Sequence, residues 1–191
     1  MNLPNKLTLL RIILIPFYTV LLCLPIHNKI ILLGTSIQIT YLIATVIFIV
    51  ASFTDYLDGQ IARKNNLVTN FGKFADPLAD KLLVLTAFIF LAVDKIIPAW
   101  ALAIIIWREL AVTGLRLLLA DHGEVVAAAM PGKIKTFSQM ISIIFLNLNN
   151  VGFASVNIPF AQIVFYISLF FAVYSGADYF YKNWSIFENS I

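Results

Sequence analysis

Long apolar runs broken by short polar stretches set the plan of this chain. Residues 1–11, MNLPNKLTLLR, place Leu3, Leu7 and Leu10 against Asn5, Lys6, Thr8 and Arg11, which predicts a short amphipathic helix lying in a membrane interface. The run continues through 12–24 as a first span, with Pro16 as a point of kinking; with the interfacial turn it reaches the roughly 20 residues a bilayer needs. After a polar turn at 25–29, a second helix is expected over 30–64. At about 1.5 Å per residue it would be roughly 50 Å long, so its polar end should project from the hydrocarbon. A turn at 65–70 leads to a third helix over 71–93, with Pro77 in its first turns, and a turn at 94–98 leads to a fourth over 99–120. A loop at 121–130, a fifth helix over 131–147, an uncharged loop at 147–159 and a last span over 160–181 complete the series. The last span runs into Tyr179, Phe180, Tyr181 and Trp184, aromatic residues suited to the interface. The pattern predicts an all-α membrane protein of six transmembrane helices preceded by an interfacial helix. It folds as one domain over residues 1–191, with no repeat or linker.

Composition agrees with the pattern. The 191 residues are 61% hydrophobic and 12% charged, against about 45–50% apolar and ~25% charged in soluble domains. Mean hydropathy is +0.92. The amino-terminal run has no small-residue cleavage site and flows into further spans, so it reads as a span and not as a cleaved leader. Cys23 is the single cysteine, which excludes an intrachain disulfide and a thiolate metal site. The net charge of +3 matters through its placement. Six spans put both termini on one side, with Lys6, Arg11, Arg63, Lys64, Lys73, Lys133, Lys135 and Lys182; only Lys29 and Lys95 fall on the other. The positive-inside rule then makes the termini cytoplasmic, and no nucleic-acid partner is expected.

The chemistry concentrates between Asp55 and Asp80. On a helix Asp55 and Asp58 share a face with Gly59 and Ala62, and Arg63 lies just past; Gly72, Asp76 and Asp80 share a face at four-residue steps. Carboxylates at a membrane boundary are costly and functional by default. Four of them in one pocket repel unless cations are present. An all-oxygen donor set suits magnesium, manganese or calcium and not zinc. Small residues at 59 and 62 admit a large group to the backbone, and Arg63 offers a donor fork to phosphate. The plainer alternative is a set of helix-end acids that solvate a loop. Another is an ion path for divalent cations, which leaves Gly59, Ala62 and Arg63 without a role.

The complete pattern D-x2-D-G-x2-A-R-x8-G-x3-D-x3-D, from Asp55 to Asp80, resembles the signature of the CDP-alcohol phosphotransferases. The resemblance implies that Asp55, Asp58 and Asp76 bind two divalent ions, Mg2+ or Mn2+. It implies that Asp80 is a further ligand and the general base. The Asp58, Gly59, Ala62 and Arg63 segment would hold the cytidine nucleotide, with Thr8 joining the binding of the nucleotide-linked lipid. It further implies direct displacement with no covalent enzyme intermediate, in a homodimer.

A second constellation is basic. Arg108 and Arg116 lie eight residues apart, so one helical face can present both. Gly132-Lys133-Ile134-Lys135-Thr136 opens the fifth helix, where backbone N–H groups favour an anion. Together Arg108, Arg116, Lys133 and Lys135 predict a second phosphate pocket on the side of the acids; in a plain bundle Arg108 would instead pair with Glu109 or Asp121. The segments 5–11, 108–116 and 132–140 resemble those family members that join CDP-diacylglycerol to glycerol 3-phosphate. Related members use other acceptors, such as inositol phosphate or serine. His27 and His122 fall in turns on opposite sides, which argues against a shared site, and Asp178 is a lone acid near the end of the last span.

Overall fold

The computed structural model describes residues 2–26, 28–64, 69–121 and 130–188. Six long helices form a bundle: α1 (Leu3–Cys23), α2 (Ile39–Lys64), α3 (Asn70–Val93), α4 (Ala99–Asp121), α5 (Met130–Asn147) and α6 (Phe160–Lys182). A single 3-10 turn, Ala154–Val156, lies between α5 and α6, and a one-turn helix α7 (Ser185–Glu188) follows.

The expected interfacial helix is not separate. α1 is continuous from Leu3 to Cys23, and Pro16 sits inside it. Its buried residues Pro4, Thr8, Arg11, Ile15 and Tyr18 recur at steps of three and four, so one stripe crosses the expected boundary at Arg11 without a break. The Asn2 side chain caps the first turn by accepting from the Asn5 backbone N–H at 3.1 Å.

The second departure lies at residues 30–38, expected to be helical. They form most of an antiparallel hairpin, β1 (Lys29–Leu32) and β2 (Thr35–Gln38), in the register Lys29↔Gln38, Ile30↔Ile37, Ile31↔Ser36 and Leu32↔Thr35. The chain is therefore not wholly α. Leu33 and Gly34 turn the hairpin with φ of 47° and 76°, the two left-handed residues of a two-residue hairpin turn. α2 then begins at Ile39, and its 26 residues span about 39 Å, still longer than a hydrocarbon core of ~30 Å.

Small residues let the helices approach closely. Ala44, Ala51, Ala79, Ala87, Ala101, Ala161 and Ala172 are fully buried. In lipid, where apolar burial between helices gains little, such close packing is what associates them. Phe88 and Phe165 fill the centre edge to face, 5.7 Å apart. Among the described residues three helices are, by length and composition, apolar enough to cross a membrane: α1, α2 over Ile39–Ile61, and α6. The four acids singled out above lie on α2 and α3, and the cations of the second constellation on α4 and α5.

Candidate active site

The acids stand where α1, α2 and α3 meet, and α1 holds two of them. Arg11 is fully buried, and its Nη1 lies 2.7 Å from Asp55 Oδ1 on α2. Thr8, one turn earlier on the same stripe, donates its hydroxyl to Asp76 Oδ1 on α3 at 2.5 Å. The start of α3 is fastened to α1 as well. Thr69 caps it by accepting from the Gly72 N–H at 3.0 Å and donates to Asn5 Oδ1 at 2.9 Å. Asp76 and Asp80 thus hang from a helix end that α1 positions. Gly59 is half-buried on α2; the side chains of Asp58, Ala62 and Arg63, on the same helix, lie outside the described residues.

Asp80 faces a cavity of about 470 Å³ between α3, α4, α5 and α6, which Arg108, Arg116, Lys133 and Lys135 also line. One cavity therefore brings together the expected general base and all four expected phosphate cations. Arg108 and Lys135 both pair with Glu109, Arg108 Nη1 at 3.1 Å from its Oε1. The pairing weighed for a plain bundle is thus present, inside the cavity. Arg108 also donates from Nε to the Ala172 carbonyl at 3.1 Å and from Nη2 to Ser175 Oγ at 2.8 Å. Arg116 lies over the Tyr179 ring, 5.3 Å from its centroid, a cation–π contact. Lys133 is exposed at the first turn of α5. Lys81 donates to Thr113 Oγ1, whose hydroxyl in turn bonds the Glu109 carbonyl at 2.5 Å.

Sequence reasoning missed three of these parts. Arg11 read as an interfacial charge; only the unbroken stripe through 4, 8, 11, 15 and 18 marks it as inward-facing. Glu109 read as a simple partner of Arg108, yet it gathers two cations. Ser175 carried no sequence cue. Asp178 pairs with Lys182 at 2.8 Å on the surface, away from the cavity. His27 and His122 lie outside the described residues.

Among the described residues no three His, Cys, Asp or Glu side chains stand close enough to hold a metal ion, and the Asp58 side chain lies outside them. The donor type nevertheless fits a hard divalent cation: Asp55, Asp76 and Asp80 offer oxygen alone. The buried Arg11 guanidinium on Asp55 shows that this carboxylate already takes a positive partner.

Residues 1–174 match the family model described as CDP-alcohol phosphatidyltransferase. A Bacillus subtilis (strain 168) protein named CDP-diacylglycerol–glycerol-3-phosphate 3-phosphatidyltransferase is 52% identical over 190 residues, covering 99% of this chain and 98% of its own. A protein of the same name from Rickettsia felis is 36% identical over 180 residues, covering 94% of this chain and 93% of its own. A Mycobacterium tuberculosis H37Rv protein named probable phosphatidylglycerophosphate synthase is 36% identical over 178 residues, 93% of this chain and 79% of its own.

Proposed function

This chain belongs to the CDP-alcohol phosphatidyltransferase family, and from that premise we propose that it transfers the phosphatidyl group of CDP-diacylglycerol to glycerol 3-phosphate. The products are phosphatidylglycerophosphate and CMP. The observation that carries this reading is the single cavity lined by Asp80 together with Arg108, Arg116, Lys133 and Lys135. A phosphate-bearing acceptor needs several cations, and its hydroxyl needs a base within reach.

In this reading Arg108, Arg116, Lys133 and Lys135 hold the acceptor phosphate. Asp80 takes the proton of the acceptor's 1-hydroxyl as that oxygen attacks the β-phosphorus. The bond from the β-phosphorus to the bridging oxygen breaks, and CMP leaves with the electron pair. Asp58, Gly59, Ala62 and Arg63, with Thr8, hold the nucleotide-linked lipid. Members of the family generally use divalent metal ions. Here two, Mg2+ or Mn2+, would be held by Asp55, Asp58, Asp76 and Asp80. They would supply charge neutralisation to the diphosphate. Thr8 and Arg11 keep Asp76 and Asp55 oriented.

The apolar helices α1, α2 and α6 make this a membrane protein. The fuller reading is six spans in one domain, a homodimer in a bacterial cytoplasmic membrane, with the site and both termini cytoplasmic. Purified protein in detergent should release CMP only when CDP-diacylglycerol and glycerol 3-phosphate are both present. Release with inositol phosphate or serine, and none with glycerol 3-phosphate, would reassign the acceptor. No CMP release with any acceptor would sink the transferase reading itself.

A further inference from the structure

Helix α6 gives the cavity Ser175 and Tyr179 and no charged residue, yet it fixes where one of the cavity's cations stands. Arg108 crosses from α4 onto α6 directly over Gly176. A Cβ at Gly176 would lie 3.0 Å from Arg108 Cγ, 3.7 Å from its Nε and 3.9 Å from its Cδ. Ordinary carbon contacts are about 3.5–4.0 Å, so an alanine here would press on the arginine. The three nearest atoms all belong to Arg108, so the closest thing this glycine makes room for is that side chain. Cγ is near the α4 backbone, where the side chain has little freedom to yield. Its far end is tied to the Ala172 carbonyl, the Ser175 hydroxyl and Glu109. A helix-interior glycine is otherwise unfavourable against alanine. Gly114 on α4 offers the contrast: a Cβ there would meet nothing within 4 Å.

We propose that Gly176 is a positioning residue for the acceptor: with the Ala172 carbonyl and Ser175 hydroxyl it sets the guanidinium of Arg108 where the acceptor phosphate docks. This rests on the reading that Arg108 binds that phosphate. The test uses the full chain in detergent, with initial rates against glycerol 3-phosphate at saturating CDP-diacylglycerol and the converse, for Gly176→Ala, Ser175→Ala, Gly114→Ala, Arg108→Ala and the Gly176→Ala/Arg108→Ala double variant. Gly176→Ala should raise the acceptor KM about tenfold, the loss of one charge-assisted hydrogen bond. It should leave the CDP-diacylglycerol KM unchanged and the unfolding midpoint no lower than before. Gly114→Ala should move neither KM. In the Arg108→Ala background Gly176→Ala should add nothing, because its effect passes through that arginine. Should Gly176→Ala fail to fold, Ser175→Ala removes the 2.8 Å bond without adding bulk and carries the same expectation. Unchanged acceptor KM in the folded Gly176 and Ser175 variants, with Arg108→Ala impaired, would overturn the positioning role alone. So would effects of Gly176→Ala and Arg108→Ala that simply multiply. An unimpaired Arg108→Ala would instead remove the acceptor assignment of Arg108, and this proposal with it.

Discussion

Asp80 is the motif aspartate that also lines the cationic cavity, so its replacement separates binding from chemistry. Asp80→Asn keeps the shape and loses the proposed base. Turnover should fall at least ~10²-fold, while CDP-diacylglycerol binding, measured directly, survives far better. The helical steps of three and four that group the acids were legible in the sequence. Arg11 was not, because a single cation in an amphipathic stretch reads as an interfacial residue until its helix is known to continue. Its contact with Asp55 joins a fully buried guanidinium to a carboxylate that is 34% exposed. Arg11→Met should therefore cost about 2 kcal/mol in metal-free protein, between the values of exposed and buried pairs. Arg11→Met/Asp55→Asn should cost less than the two single changes summed, read from unfolding in detergent.

Among the elements, the start of α3 transmits the position of α1 to the acids. Thr69→Ala removes its cap and the bond to Asn5 together. A loss of about 1 kcal/mol is expected, with a fall in turnover, and Thr69→Ser should restore both. The long helices were legible from apolar length and from the Pro and Asn-rich breaks between them. The hairpin was not. Residues 30–33 are a short continuous apolar run, which periodicity cannot assign to strand or helix. Its turn carries Leu33 at positive φ, where Asn, Asp or Gly would have announced a hairpin. That one element shortened α2 by nine residues relative to expectation, from Ile30 to Ile39, without moving its acidic end.

For the whole molecule, the up-and-down course of the bundle gathers the acids, the cavity and the carboxyl end of α6 at one pole. The loop around Ser155 lies at the other. Ser155 and Ser185 are both exposed, and serine and cysteine are close in size. In a Cys23→Ser background, a membrane-impermeant maleimide applied to intact cells should label Ser155→Cys. Ser185→Cys should react only after permeabilisation. The reverse pattern would invert the proposed orientation. Lysine and arginine placement supplies the sidedness that this labelling tests, whereas the cavity was not legible in the sequence, since it needs four helices from distant parts of the chain.

Seven formally charged side chains line that cavity: Lys81, Arg108, Arg116, Lys133 and Lys135 against Asp80 and Glu109. Their formal surplus is three positive charges, five less two, and the whole chain carries +3. The rest of the molecule is therefore balanced, and the excess charge is a local field inside a low-dielectric wall, not a general property of the surface. With the neighbouring aspartates neutralised by the divalent ions proposed above, such a field would draw a dianion inward from solution, and added electrolyte weakens that pull over distances of about 10 Å at 0.1 M. Raising ionic strength with an inert salt should lower kcat/KM for glycerol 3-phosphate while kcat at saturation holds. Salt slows the acceptor's capture, and a saturated cavity has already completed it.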